Sequence, residues 1–144
     1  MDVIVEPIAD NPDTEARDLI LALLDADNSR KTGRQEHSDF AVLLRDPATR
    51  GVIGGLWAMD DFGWAFITYL YVPPQLRGLR LGEKLMTEAE AIARERGMVG
   101  LWVNTFDFQA PGFYEKLGYT VFGVLEGEGD AAGQTFLRKR LSSR

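Results

Sequence analysis

Cysteine is absent from the 144 residues, and histidine occurs once, at His37. The first absence excludes a disulfide scaffold, thiolate zinc sites and a cysteine nucleophile. The second excludes a histidine metal cluster and leaves no histidine to spare for a Ser-His-Asp triad, so no metal is expected. No uncharged apolar run approaches the roughly 20 residues that cross a bilayer. The opening MDVIVEPIADNPD also lacks a basic start followed by a long apolar stretch. A cytoplasmic location is therefore expected, with no membrane partner. Basic charge is in short supply: 16 Lys and Arg against 22 Asp and Glu give a net charge of -6. That balance argues against nucleic acid as a main partner and favours a cationic small molecule.

Hydrophobic residues make up 45% and charged residues 26% of the chain, which sets disorder and coiled coil aside. The length suits one domain spanning residues 1–144. Val3-Ile4-Val5 is a short β-branched stretch. Asn11-Pro12-Asp13-Thr14 supplies a turn and a helix start, and Ala16, Leu19, Ile20, Leu23 and Leu24 recur on one helical face, predicting an amphipathic helix that ends near Asp25. Residues 25–39 hold almost nothing to bury and read as an exposed loop or a weak helix, with His37 at the surface. Phe40 to Leu44, Val52 to Met59 and Trp64 to Val72 read as an antiparallel meander. Pro73-Pro74 stops its last strand, because neither residue donates a ladder hydrogen bond.

Beyond the prolines, Leu81, Leu85, Ala89 and Ile92 form a helical stripe, with Met86 and Ala93 beside it and Gly97 at the C-terminal turn. Leu101-Trp102-Val103 reads as a buried strand, Ala110 to Leu117 as a short helix, and Tyr119 to Leu125 and Phe136 to Leu141 as strands. The predicted order is β, α, β, β, β, α, β, α, β, β. It joins a meander to one strand-helix-strand crossover. The fold class is thus α+β, a three-layer α/β/α arrangement around a mixed, mostly antiparallel central sheet with one parallel strand pair.

The segment Arg77-Gly78-Leu79-Arg80-Leu81-Gly82 opens the long helix. A tight loop before a helix start gathers unpaired backbone N–H groups and the positive dipole end at one spot, which suits a phosphate. Arg77, Arg80 and Lys84 against Glu83 give a local surplus of basic charge inside an acidic molecule. A turn shaped by Gly78 and Gly82, with solvated arginines, is the plainer alternative.

With that context, the sequence resembles the GNAT family of N-acetyltransferases, which places an acyl-CoA diphosphate on a [QR]xxGx[GA] loop after its fourth strand. The match runs from Arg77 to Gly82, with Arg80 at the family's middle glycine. A second match, Asp107-Phe108-Gln109-Ala110-Pro111-Gly112-Phe113-Tyr114-Glu115-Lys116-Leu117-Gly118-Tyr119, looks like the family's NxxAxxFYEKLGF segment, with Asp107 at the Asn position. The two matches lie in the family's order within residues 64–125.

The resemblance implies an acyl-CoA N-acyltransferase-like fold and an acetyl-CoA-dependent N-acetyltransferase acting on a primary amine of a small molecule, which the acidic charge balance expects to be cationic. It implies that Arg77, Gly78, Leu79, Arg80, Leu81, Gly82 and Glu83 hold the diphosphate, and that backbone groups of Leu70, Tyr71 and Val72 pair with the pantetheine amides. Asp107 would face the same arm. One of the strand N–H groups would stabilise the oxyanion. Tyr114 would be the acid that protonates the departing thiolate, since a phenol of ordinary pKa about 10 yields a proton to a thiolate at little cost. A homodimer is what the family suggests. The base remains open among Asp60, Asp61, Asp107, Glu126 and a water chain. Acetylation of a protein N-terminus or lysine, and a non-catalytic acyl-CoA-binding module, are the rival readings.

Overall fold

A computed structural model describes residues 2–33 and 38–141; His37 lies outside the described residues. The chain forms two compact units, one carrying the first helix and the other carrying a six-stranded sheet. In the first unit, α1 runs from Thr14 to Thr32. The Asp13 carboxylate caps it by accepting from the Glu15 amide at 3.0 Å, and Gly33 closes it at φ 64° by donating to the Ser29 carbonyl. The helix therefore passes well beyond Asp25, where the apolar stripe stops. The added turns are polar, and Asp27 pairs there with Arg30 at 2.6 Å and Lys31 at 3.0 Å on the same face. The expected first strand does not form: Val3, Ile4 and Val5 are exposed and enter no ladder. β-branched residues favour a strand only against a neighbouring one.

In the second unit, β1 (Phe40–Arg45), β2 (Val52–Asp61) and β3 (Trp64–Tyr71) make the meander. Then come α2 (Leu81–Glu95), β4 (Gly100–Phe106), α3 (Pro111–Lys116), β5 (Thr120–Leu125) and β6 (Gln134–Arg140). The sheet order is β1-β2-β3-β4-β6-β5, antiparallel except between β3 and β4. This is the α+β arrangement read from the sequence, with its one parallel pair.

The crossover helix α2 buries Leu85, Met86, Ala89 and Ala93 against Leu56, Ala58, Ala65, Ile67, Leu101 and Val103 of the sheet. Gly97 follows it at φ 73°, and the Met98 amide returns to the Ala93 carbonyl at 3.0 Å, so chain direction reverses straight into β4. Glu90 is buried on the same helix. It accepts from the Tyr119 hydroxyl and from Lys139 Nζ, both at 2.9 Å, and Lys139 also donates to the Leu117 carbonyl. That network ties α2 to the start of β5 and to β6. A buried charge is tolerable because each of its oxygens is satisfied.

Two irregularities shape the site. The parallel β3–β4 ladder covers only Trp64–Phe66 against Gly100–Trp102, after which the strands part. Just past that point β3 bulges: Trp57 faces Tyr69 and Ala58 faces Ile67, leaving Thr68 as the extra residue. Pro73-Pro74 then ends β3 as expected, and a 3-10 turn at Pro74–Leu76 leads toward α2.

Candidate active site

The parted strands open a cavity of about 1060 Å³. One wall is Ile67 to Tyr71 of β3 with Val72 beyond it, the other is Val103 to Thr105 of β4, and residues of the loop into α2 together with Phe113 and Tyr114 of α3 complete the lining. Two sequence motifs thirty residues apart thus meet on one space, because the short ladder lets the strands splay while α2 and α3 approach. Gly82 lets them approach: a Cβ there would lie 3.1 Å from the Phe113 ring.

Among the residues named from sequence, Leu70, Tyr71, Val72, Arg77, Gly78, Arg80, Leu81, Gly82, Glu83 and Tyr114 line this cavity. Leu79 does not; it points outward at 64% exposure. Asp107 does not either. Its carboxylate accepts from the Gly133 amide at 3.1 Å and its amide donates to the Gly133 carbonyl at 3.0 Å, so it staples the β4 end to the loop before β6. Asp60, Asp61 and Glu126 lie off the cavity wall, where Glu83 is the carboxylate present among the described residues. Among those residues no three metal-ligating side chains come together, and no helix is long and apolar enough to cross a membrane.

The loop is built to leave amides open. The amides of residues 78–83 donate to no protein acceptor among the described residues, and the first bond of α2 is Lys84 N–H to the Arg80 carbonyl at 3.1 Å. Gly78 sits at φ 86° and Arg80 at φ 61°. The backbone at position 80 is thus left-handed, which glycine adopts freely and arginine only with strain. Six open amides, the helix dipole and the Arg77 and Arg80 side chains give this corner an anion-seeking field. Arg77 is fixed in place: its Nε donates to the Val72 carbonyl at 3.0 Å, and its guanidinium sits 6.0 Å from the centre of the Tyr71 ring.

Tyr114 is 8% exposed and packs edge-on against Phe113 and Tyr119, with ring centres 5.0 and 6.1 Å away. Burial pushes its phenol up to about 12, so the group keeps its proton throughout the neutral range and yields it to a thiolate at a greater cost than a phenol of ordinary pKa would. Tyr119 is pushed higher still, first by burial and then by the Glu90 carboxylate it bonds. Its hydroxyl is committed to Glu90, whereas that of Tyr114 makes no hydrogen bond among the described residues.

Elsewhere on the lining, the Asn104 side-chain amide donates to Gln134 Oε1 at 2.8 Å, and Gln109 Oε1 accepts from Thr105 Oγ1 and the Phe106 amide. Asn104, Thr105 and Thr68 lie outside both motifs, and Gln109 lies inside the second without an assigned role. Asn104, Thr105 and Thr68 reach the cavity through their placement beyond the last β3–β4 rung, a signal that residue types alone do not carry.

A mixed sheet with one splayed parallel pair over an unsatisfied helix start defines the acyl-CoA N-acyltransferase class of fold. The sequence model of the Acetyltransferase (GNAT) family matches residues 8–119, and the chain belongs to this family. An acetyltransferase of Agrobacterium fabrum is 32% identical over 133 residues, covering 92% of this chain and 96% of its own. The blasticidin-S acetyltransferase of Streptomyces morookaense is 46% identical over 67 residues, covering 46% of this chain and 49% of its own. In three dimensions, a crystal structure from Agrobacterium tumefaciens described as an acetyltransferase superposes with a TM-score of 0.85 at 31% identity, covering 98% of this chain and all of that one. The protein is an acetyltransferase.

Proposed function

We propose that this chain, working as one domain in the cytoplasm, transfers the acetyl group of acetyl-CoA to a primary amine of a small, cationic molecule. The observation that carries the reading is the convergence of the open amides of Gly78, Arg80, Leu81, Gly82 and Glu83 with the buried Tyr114 phenol on one cavity. The diphosphate would take the amides and the Arg80 side chain. Pantetheine would run along Val72, Tyr71 and Leu70, pairing with backbone as an added strand does. The uncharged amine nitrogen would attack the thioester carbon, the C–S bond would break, the thiolate would take the Tyr114 proton, and the proton lost by the nitrogen would pass through water and restore the phenol. A net charge of -6 draws a cationic acceptor toward the protein. The relative named for blasticidin-S supports a small-molecule acceptor over a protein lysine or N-terminus.

The test is incubation of purified protein with acetyl-CoA and a panel of polyamines, aminoglycosides, nucleoside amines and amino acids, following free thiol. Thiol release matched by acetylated amine is expected with at least one small amine. Tight CoA binding with no release from any amine, peptide amines included, would support a binding module instead.

A further inference from the structure

Thr68 Oγ1 is buried and has no hydrogen-bond partner, and among the described residues no other buried side-chain oxygen or nitrogen is left in that state. A buried hydroxyl without a partner costs stability, so its persistence calls for a reason. Its place supplies one. Thr68 lines the main cavity, and it is the bulged residue of β3, two positions past the last rung shared with β4. A regular strand would turn position 68 to the sheet face opposite Ile67. The bulge breaks that alternation where the two strands part.

Other polar side chains of the lining are already bonded: Asn104 to Gln134, and Thr105 to Gln109. Beside the Tyr114 hydroxyl, Thr68 is therefore a polar group of the cavity lining that remains for a ligand. A donor molecule running from the α2 start along Val72, Tyr71 and Leu70 carries its acyl group onward in the direction of position 68. The acyl carbonyl oxygen accepts hydrogen bonds and donates none, and the hydroxyl can donate.

We infer that the Thr68 hydroxyl donates to the carbonyl oxygen of the bound acyl thioester and strengthens that bond as the oxygen becomes an oxyanion. The inference rests on the acetyl-transfer reading above and adds a side-chain donor to the backbone groups considered there. No covalent bond to Thr68 forms, and its proton stays on Oγ1.

The experiment compares Thr68→Val, which replaces the hydroxyl by a methyl group of like shape, with Thr68→Ser, which keeps it. With acetyl-CoA and the best amine of the panel, kcat for Thr68→Val should fall at least about tenfold, as for loss of a transition-state donor. Thr68→Ser should stay within about threefold of the parent. Affinity for CoA itself, which has no acyl oxygen, should be unchanged in both by calorimetry. The ligand-free Tm of Thr68→Val should rise by about 2–4 °C, because an unsatisfied buried hydroxyl is gone. A purely structural threonine would give the opposite sign in Tm. Turnover by Thr68→Val within twofold of the parent overturns the inference, as does a Thr68→Ser variant as slow as Thr68→Val. If the parent itself releases no thiol with any amine, the transfer reading fails first, and the two failures are told apart by that control.

Discussion

Arg80 sets two effects of opposite sign against each other at one residue. Its φ of 61° places an arginine in the left-handed region, at a strain of about 1–2 kcal/mol. Arg80→Gly removes that strain but adds about 0.5–1 kcal/mol of backbone entropy lost on folding. The ligand-free protein should therefore range from as stable as the parent to about 1.5 kcal/mol more stable. Arg80→Ala keeps the strained backbone and should fall within about 0.5 kcal/mol of the parent. Both variants lose the guanidinium. The side chain is exposed, so its pairing with a diphosphate is worth only about 1 kcal/mol, a roughly fivefold weakening of CoA at 50 mM salt. At 1 M salt the screening length shrinks to about 3 Å and the loss should nearly vanish. Thermal unfolding without ligand and calorimetric CoA titration at the two salts separate the terms. Equal affinity of parent and both variants at low salt would refute the charge argument. Loss in Arg80→Ala with none in Arg80→Gly would show that backbone conformation, and not charge, governs the site.

Tyr114→Phe should leave CoA affinity unchanged and lower kcat by about 10²-fold or more, read by thiol release, if the phenol protonates the thiolate. The same residue makes an alkaline prediction. The folded phenol, at about 12, holds its proton more tightly than the unfolded one near 10. Its contribution is complete below pH 10 and is lost as pH rises toward 12, amounting to about 2–3 kcal/mol. Urea unfolding at pH 9 and pH 11.5 should show the parent losing more stability than Tyr114→Phe; parallel losses would contradict the burial of the hydroxyl. Glu90→Leu strands the Tyr119 hydroxyl, removes the carboxylate partner of the Lys139 ammonium and should cost about 2–3 kcal/mol in urea unfolding. That lies below the usual figure for a fully buried pair because Lys139 is 27% exposed and keeps the Leu117 carbonyl. Adding Lys139→Met should recover part of that loss, and simple additivity of the two would refute the coupling.

What could be read beforehand was local. Pro73-Pro74 removes two donors, Gly97 supplies a left-handed residue, and the stripe of Leu85, Ala89 and Ala93 has helical spacing; each acts within a few residues of itself. The two motif segments carried the site for the same reason, since each shapes its own loop or short helix. Long-range pairings were not legible. Glu90 reads as a solvated helix residue until Tyr119, 29 positions on, and Lys139, 49 positions on, close around it. Thr68 depends on a register slip against β2, and Asp107 on Gly133 across 26 residues. For residues 25–32 the helical alternative holds, and the end of α1 lies beyond Asp25 because its last turns are held by Asp27 with Arg30 and Lys31 and not by an apolar stripe. Val3 to Val5 misled in the other direction: their propensity was right for a strand that has no partner to pair with.

The central claim is that an acyl-CoA lies with its diphosphate on the amides of residues 78–83 and its sulfur beside Tyr114, between β3 and β4. A crystal structure of the protein with CoA tests it most directly. Phosphate oxygens within about 3 Å of those amides, with the sulfur next to the Tyr114 hydroxyl, are the predicted result. CoA lodged elsewhere, for instance in the cleft formed by Trp64, Trp102, Phe122 and Phe136, would contradict the account.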